Sequence, residues 1–367
     1  MAKLLKFVRY LLSMGIIIGI LVVSLTLVFP NKYLQAVKQG GEWFLNNQDS
    51  QFIYYQYNPA TKEYPAKHQE LRELAALWSI TELNKFLKDS DYQVLAQKGL
   101  KYFEPFFVYD QNNDFSYLNI TPSQIKLGYN AFIILSLLNT DYPKEEFYLE
   151  KFANGLLFQQ EDSGQFKTFF YQDQSGGEDY YPGEALLALM TLYEQGADQR
   201  YLNAVEKALP YYRNYWKENP NTAFVSWQSQ AYFKFYQATK SELAKDFIFN
   251  MNDYLLEQHA PKDECKNFNF SQGIVNAVYI EGINKAYELA KQANNYKRAN
   301  CYRQFIKEGV AYLLTLQFTP QNSFGITEFD PRAMGGFIGS PQDTLMQVDR
   351  NQHAVMALMG ALELGIL

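Results

Sequence analysis

The chain has 367 residues, of which 47% are hydrophobic and 17% aromatic, which excludes a disordered chain and allows a large apolar core. Its formal net charge is -6, with acidic and basic residues interspersed and no basic block. Because a nucleic-acid surface needs clustered Lys and Arg against phosphates, we expect no nucleic-acid partner.

The first thirty residues differ from the rest of the chain. Three basic residues, Lys3, Lys6 and Arg9, precede an uncharged run over 10–29, which Pro30 closes. Its twenty residues, at about 1.5 Å each, match the roughly 30 Å thickness of a bilayer core. The run lacks the small-x-small exit of a cleavable signal peptide, so it predicts an uncleaved transmembrane anchor.

The basic residues before this run determine the expected orientation. By the positive-inside rule, residues 1–9 lie in the cytoplasm and the domain over 33–367 is periplasmic or extracellular. The sequence therefore predicts a single-pass protein of the inner (cytoplasmic) membrane, held there by its N-terminal helix. It identifies no protein partner.

Beyond the anchor, apolar residues recur at three-to-four spacing, in segments separated by stretches rich in Asn, Gln, Asp, Gly and Pro. These segments predict twelve helices, over 33–47, 69–87, 91–106, 122–139, 143–159, 183–195, 199–217, 221–238, 241–258, 272–292, 296–317 and 350–366. No Pro/Ser-rich linker divides them, so we expect one domain. The second member of nearly every pair begins with polar, chemically capable residues, a pattern that predicts a closed ring of six hairpins around one central cavity.

Strand signals are weak. Two short runs, 53–57 and 166–171, are rich in aromatic and β-branched residues, but they follow helices and have no close strand partner in the sequence. We interpret them as short β excursions within long loops.

Only two cysteines occur, Cys265 and Cys301, and neither lies in a Cys-x-x-Cys pair or near a suitably spaced His. A zinc site is therefore not expected, and nothing in the sequence implies another metal or a cofactor. In an oxidising compartment the two cysteines could form one disulfide, and two buried thiols are the alternative.

Three loops after odd-numbered helices share a weak likeness. The loops over 47–52, 159–166 and 317–324 each leave their helix through Gln and end on Phe. We interpret the Gln as a cap for the helix end and the Phe as a wedge between neighbouring hairpins.

With these loops, the chain over 33–367 resembles the α/α toroid families at the level of architecture. Gln-x-x-x-Gly-aromatic repeats are known from the terpenoid cyclases of this class, and its six-hairpin members include glycosidases, sugar epimerases and polysaccharide lyases. The resemblance implies an all-α (α/α)6 toroid, with its site at the face where the even-numbered helices begin.

Glu184 is the first candidate for catalysis. It follows Gly176 and Gly177, which permit a tight backbone, and Pro182, which suits a first helical turn because it lacks an N–H. This placement brings Glu184 to the cavity mouth. The alternative is an acid that only complements the helix dipole.

Asp349 and His353 are the other catalytic candidates. They are four residues apart on one face of the last helix, where a carboxylate can orient an imidazole and raise its basicity for general base catalysis. A purely structural His353 is the alternative. Together, Glu184, Asp349 and His353 form the predicted acid/base set.

The remaining candidates would bind substrate. Flat aromatic rings hold the apolar faces of sugars, and guanidinium groups bind carboxylates, so the set suits an anionic glycan. Ordinary ion pairing with nearby acids is the alternative for its cations. The predicted substrate-binding residues are Arg72, Lys126, Tyr181, Trp227, Arg332 and Arg350.

Other activities of toroid proteins fit less well. The chain contains neither Asp-x-Asp-Asp nor Asp-Asp-x-x-Asp, which a terpenoid cyclase needs, and its two cysteines and three histidines do not supply the zinc ligands of a prenyltransferase or lanthionine-type cyclase. A sugar 2-epimerase would match His353 but would need a second His on another inner helix, which is missing near Trp227 and Gln272.

The sequence therefore predicts a membrane-anchored, extracytoplasmic protein that acts on an envelope or capsule polysaccharide or oligosaccharide, as a hydrolase or lyase. A one-base sugar epimerase and a non-enzymatic toroid that binds a glycan or a partner are the alternatives. The enzyme hypothesis expects Glu184 within about 5–10 Å of Asp349 or His353.

Overall fold

The computed structural model describes residues 31–172, 174–260, 264–326, 328 and 330–367. The predicted cytoplasmic segment 1–9 and anchor 10–29 lie outside the described residues. Among the residues that are described, we find no helix with the length and apolar character needed to span a bilayer.

The described part of the chain contains twelve α-helices. Their bounds are α1 Lys32–Asn46, α2 Glu70–Leu87, α3 Ser90–Phe103, α4 Leu127–Leu137, α5 Glu145–Phe158, α6 Tyr181–Gly196, α7 Gln199–Glu218, α8 Val225–Thr239, α9 Glu242–His259, α10 Asn276–Gln292, α11 Tyr296–Leu314 and α12 Val348–Glu363.

These helices form a closed double ring. Each even-numbered helix packs against the next one, from α2 through α4, α6, α8 and α10 to α12, and α12 packs back against α2. The odd-numbered helices lie outside, each against an even-numbered neighbour. The predicted all-α toroid of six hairpins is therefore confirmed.

Burial explains why the two rings differ in sequence. Every residue of α4, over Leu127–Leu137, is buried, because an inner helix contacts neighbours on both sides and an outer helix behind it. The outer helix α7 alternates between a buried face containing Tyr201, Val205 and Tyr212 and an exposed polar face. The core thus lies between the two rings.

The connections at the two ends of the ring differ in length. Three even-numbered helices end at a residue with left-handed backbone conformation, Lys88, Ala197 or Lys240. In each case one further residue separates this position from the next helix. The caps Asp89, Asp198 and Ser241 each accept a bond from a backbone N–H of the new helix. Long connections therefore gather at the opposite face, where the even-numbered helices begin.

Where the structure describes those long connections, they contain five short strands, β1 Gln56–Tyr57, β2 Phe107–Asp110, β3 Phe115–Leu118, β4 Ile338–Ser340 and β5 Asp343–Gln347. β2 and β3 form an antiparallel hairpin, and β5 lies between β1 and β4 in an antiparallel sheet. Of the two predicted excursions, 53–57 contains β1, whereas 166–171 forms only isolated bridges. The other four strands were not predicted.

Three inner helices begin clearly later than predicted, α4 at Leu127, α8 at Val225 and α10 at Asn276. The segment before α4 is extended, because Leu127 donates its N–H to the Thr168 carbonyl (2.9 Å) and Phe170 donates to Ile125 (2.8 Å). Before α10, the residues Gly273–Val275 form a 3-10 helix. The long connections therefore determine where these helices begin.

The predicted helix cap is confirmed for Gln48, whose side chain donates to the Leu45 carbonyl at the end of α1 (3.1 Å), but Gln159 and Gln317 bind other segments instead. The Gln159 side chain donates to the Phe169 carbonyl (2.7 Å), and that of Gln317 donates to the carbonyls of Ala36 (2.9 Å) and Gly335 (3.0 Å). In the third loop, however, the fully buried aromatic ring is Phe337, which bridges Gln317, whereas the predicted Phe324 is only half-buried.

Cys265 and Cys301 form a disulfide with a Cα–Cα distance of 4.8 Å. It joins the connection before α10 to α11, across 36 residues of sequence. The pairing settles the choice between a disulfide and free thiols that the sequence left open.

Candidate active site

A cavity of about 780 Å³, the front cavity, opens at the face where the even-numbered helices begin. All six inner helices contribute to it, because each starts at this face and points its first turns toward the ring axis. One residue from or next to the start of each helix illustrates this, namely Arg72, Lys126, Tyr181, Trp227, Tyr279 and His353.

Seven of the nine predicted site residues line the front cavity, and two do not. The seven are Arg72, Lys126, Tyr181, Trp227, Asp349, Arg350 and His353. Glu184 lies within the wall of the ring, and Arg332 lies in a loop cluster away from the lining.

His353 forms the most informative contact of the site, with a residue that the sequence analysis missed. Its Nδ1 lies 2.6 Å from Oε1 of Glu281, which is buried in the middle of α10. Burial raises the pKa of Glu281, and the neighbouring imidazole opposes that rise. Because Nδ1 is engaged, Nε2 is the nitrogen of His353 that remains for a ligand in the front cavity.

The carboxylate predicted to orient His353 was the wrong one. Asp349 pairs with Arg72 on α2, and its other oxygen has no hydrogen-bond partner in the described structure. The reason is tertiary: α12 packs between α2 and α10, so Asp349 reaches α2 while His353 reaches Glu281 on α10. The available signal was an acidic residue, Glu281, within the otherwise apolar stretch 277–283 of an inner helix.

An aromatic layer lies beside His353 and forms the floor of the front cavity. The Trp227 ring lies 5.9 Å from the imidazole, 5.6 Å from Phe132 and 6.0 Å from Trp78, centroid to centroid. These rings come from α8, α4 and α2. A sugar in the cavity would meet a flat apolar surface next to a proton-transfer group.

The predicted cationic residues differ in whether they form ion pairs with neighbouring acids. Arg72 pairs with Asp349, and Arg350 binds Asp343 at 2.6 Å, so ordinary ion pairing holds for both. Lys126 has no ion-pair partner among the described residues and lies over the Tyr129 ring at 5.6 Å. Burial lowers the pKa of Lys126. Lys126 is therefore the cation best placed to meet an anionic group of a ligand.

Arg332 does not reach the cavity, contrary to the prediction. It pairs with Asp330 at 2.8 Å and lies 5.0 Å from the Tyr57 ring centroid and 5.8 Å from that of Tyr64. The loop folds back onto α1, where the Asn47 side chain donates to the Arg332 carbonyl (2.8 Å). Arg332 therefore stabilises the loop in which it lies.

Glu184 lies in the first turn of α6 with 5% of its surface exposed. Its carboxylate faces Gly128 on α4, and Oε2 has no hydrogen-bond partner in the described structure. Burial raises the pKa of Glu184 to about 8, and Lys126 opposes the rise. Glu184 is therefore mostly a neutral acid at pH 7, and it is not one of the residues that line the front cavity.

A polar side chain with unused hydrogen-bonding capacity also lines the cavity. Gln352 is fully buried, and neither its amide oxygen nor its nitrogen has a partner among the described residues. Such an amide can both donate to and accept from a sugar hydroxyl. Within the described residues, no group of three or more His, Cys, Asp or Glu side chains is placed to hold a metal ion.

No protein-family model and no curated protein matches this sequence. Solved structures do match. An inactive variant of an α-1,6-mannanase of Salegentibacter sp. HEL1_6, in complex with α-1,6-mannotriose, is 11% identical, with a TM-score of 0.64 over 90% of this chain and 99% of that one. A D-mannose isomerase is 10% identical, with a TM-score of 0.65 over 92% of this chain and 98% of that one.

A glycoside hydrolase family 76 mannosidase from Bacteroides thetaiotaomicron is 11% identical, with a TM-score of 0.62 over 89% of this chain and 98% of that one. Likeness at such identities concerns the fold. The closed ring and these matches together show that the described chain has the six-hairpin, glycosidase-like α/α toroid fold.

Proposed function

We propose that this protein is a carbohydrate-active enzyme in which His353 removes a proton from a sugar carbon next to a carboxylate. The observation that carries the proposal is the 2.6 Å contact between His353 Nδ1 and the buried Glu281 carboxylate, at the floor of the front cavity. A carboxylate in this position fixes the imidazole tautomer and stabilises the imidazolium that forms.

The chemistry that fits is elimination from a uronic acid residue. His353 Nε2 takes the proton at the carbon next to the carboxylate, negative charge develops on that carboxylate, and the glycosidic oxygen leaves with the bonding electrons as a double bond forms. Lys126, with Arg72 beside it, supports this charge, because a cation near a developing anion lowers the barrier. The substrate class is therefore an oligosaccharide or polysaccharide that contains uronate.

Isomerisation or epimerisation at one base is the second candidate, favoured by the fold shared with a D-mannose isomerase over 92% of this chain. It would use the same proton abstraction beside a carbonyl, followed by return of the proton to a different carbon or face. Elimination ranks first because Lys126 is a cation without an ion-pair partner among the described residues, and a neutral sugar would not require such a cation.

Hydrolysis, also predicted from the sequence, has less support. Glu184 has the raised pKa of a general acid, but it lies outside the lining, and Asp349 is engaged by Arg72. In the inactive mannanase variant, two consecutive aspartates are replaced by asparagine, whereas this sequence contains no Asp-Asp pair.

We also propose that the toroid domain lies outside the cytoplasm, tethered by the anchor over 10–29. The disulfide between Cys265 and Cys301 supports this location, because disulfides persist mainly in oxidising compartments. The substrate would then be an envelope or capsule glycan.

The test is a product assay on uronate-containing and neutral glycans, with the full-length protein, the His353→Gln variant and the His68→Gln variant as matched control. His68 binds Glu73 and Asp49 and does not line the cavity. We expect the ultraviolet absorbance of a new sugar double bond with wild type and with the control, and none with His353→Gln.

Other outcomes contradict the proposal in distinct ways. New reducing ends without the double bond indicate hydrolysis, and conversion of a monosaccharide indicates an isomerase. Binding without turnover would favour a recognition module.

A further inference from the structure

A second cavity, the rear cavity, lies at the opposite end of the ring axis and has a volume of about 840 Å³. All six inner helices again contribute, here through their middle turns, their second halves or the residues that follow them. Representative lining residues are Trp78, Asn139, Thr191, Gln230, Asn284 and Met356. None of the functions considered so far uses this cavity.

Two hydrogen-bond acceptors in its lining have no partner in the described structure, Oε2 of Glu281 and Oδ1 of Asn284. Both residues are more than nine-tenths buried, with 4% and 2% of their surface exposed. They are three positions apart on α10, so their side chains lie on the same face. The Asn284 amide nitrogen donates to the Ala357 carbonyl (3.2 Å), which fixes the orientation of Oδ1.

The unpartnered atoms determine what the cavity can bind. Both are acceptors, so a ligand must donate to them, and a free anion would be repelled. The charged groups of the lining favour no ion of either sign, because Lys85, Lys234 and Lys285 are offset by four acids, Glu82, Glu194, Glu281 and Glu363. A neutral molecule with several hydroxyl groups meets both conditions.

The rest of the lining suits such a molecule. Trp78, Met356 and Met359 supply apolar surface for the C–H faces of a sugar or polyol. Near them, the Asn139 amide (2.8 Å) and the Trp78 indole (3.3 Å) both donate to one oxygen of Glu82, Oε1. Apolar walls with a few convergent polar atoms are typical of a small-molecule site.

We propose that the rear cavity binds a neutral monosaccharide or polyol, whose hydroxyl groups donate to Glu281 Oε2 and Asn284 Oδ1. The other oxygen of Glu281 binds His353, which lines the front cavity. A ligand in the rear cavity therefore touches the carboxylate that orients the front imidazole. The binding proposal does not depend on the proposed activity, since its test does not use turnover.

The test is methyl NMR of the full-length protein, labelled at its eight methionines and kept in a detergent without sugar headgroups. Met356 and Met359 line the rear cavity, whereas no methionine lines the front one. We expect D-mannitol or D-mannose to shift both resonances saturably. The Asn284→Leu variant should weaken binding by about tenfold, the effect of one lost hydrogen bond to a carboxamide.

Two further variants separate the alternatives. Asn284→Gln keeps both the amide donor and an acceptor oxygen and should retain binding, which covers the case in which Asn284→Leu fails to fold. Lys126→Ala alters the front cavity only and should leave the methionine shifts unchanged. Absence of shifts, shifts that persist in folded Asn284→Leu, or shifts lost in Lys126→Ala would each overturn the proposal, as would saturable shifts with an alkylamine instead of the polyol.

Discussion

Glu184 provides a sharp test of the electrostatics of this fold. Burial raises its pKa from 4.5 to about 8, so the folded protein holds a proton there that the unfolded chain releases above pH 4.5. Because the folded-state pKa is raised, the contribution of this group to stability is fully present below pH 4.5. It is lost progressively as the pH rises toward 8.

The magnitude follows from the size of the shift. One pKa unit corresponds to about 1.36 kcal/mol, so a rise of 2.5 pH units from 4.5 to 7 costs about 3 kcal/mol of unfolding free energy. Glu184→Gln has nearly the same shape and does not titrate. We therefore expect the variant to gain about 3 kcal/mol relative to wild type between pH 4.5 and pH 7.

Urea unfolding of both proteins at several values between pH 4.5 and pH 8 measures this difference. Glu257→Gln, at an exposed carboxylate of α9, is the matched control and should remain parallel to wild type. A constant difference between Glu184→Gln and wild type across this range would refute the reasoning, because it would mean that Glu184 is ionised in the folded protein.

Three more predictions follow from the same structure. Gly128→Ala places a methyl group against the Glu184 carboxylate and should lower the unfolding free energy by about 1–2 kcal/mol. In a Glu184→Ala background the same substitution should raise the unfolding free energy by about 1 kcal/mol. A double-mutant cycle by urea unfolding measures both effects, and equal effects in the two backgrounds would contradict the contact. Replacing Cys265 and Cys301 with Ser opens a link across 36 residues and should cost about 4 kcal/mol, seen as a lower urea midpoint that reductant reproduces in wild type; an unchanged midpoint would contradict it. Glu281→Gln should lower kcat by about 100-fold with little change in KM, because the imidazole loses its carboxylate while the lining is kept, and a change confined to KM would assign Glu281 to binding.

The sequence predicted the ring because the ring is built from local patterns. An inner helix such as α4 is apolar on all sides, and an outer helix such as α7 has one apolar face, so the twelve segments and their pairing can be read from periodicity. The residues at which the helices begin were harder to predict from the sequence. The backbone before α4 bonds with Thr168 and Phe170, far along the chain, and no periodicity reports such a contact.

The strands β4 and β5 were missed for the same reason. β5 pairs with β1, which lies almost three hundred positions earlier, and this pairing positions α12, since Val348 donates its N–H to the Tyr55 carbonyl (3.0 Å). A five-residue run with mixed polarity gives little strand signal by itself. Tertiary contacts therefore determine the position of the helix that carries His353.

The sequence predicted that most of the candidate residues would share one cavity, but it did not predict their contacts. Toroid geometry brings the first turns of the inner helices together, so most of the candidates line one cavity. The partner of His353 could not be predicted in this way, because Glu281 lies on the adjacent helix, 72 positions away in sequence. Spacing along a single helix favoured Asp349 and could not reveal a neighbour across the interface.

The most direct test of the central claim is the fate of the hydrogen that His353 is proposed to remove. A substrate with deuterium at the carbon next to the carboxylate is incubated with the full-length protein, and NMR follows release of the label into water. We expect wild type to release deuterium as product forms, and His353→Gln to release none while still binding. Turnover that leaves the label on the sugar, or equal release by both proteins, would contradict proton abstraction by His353.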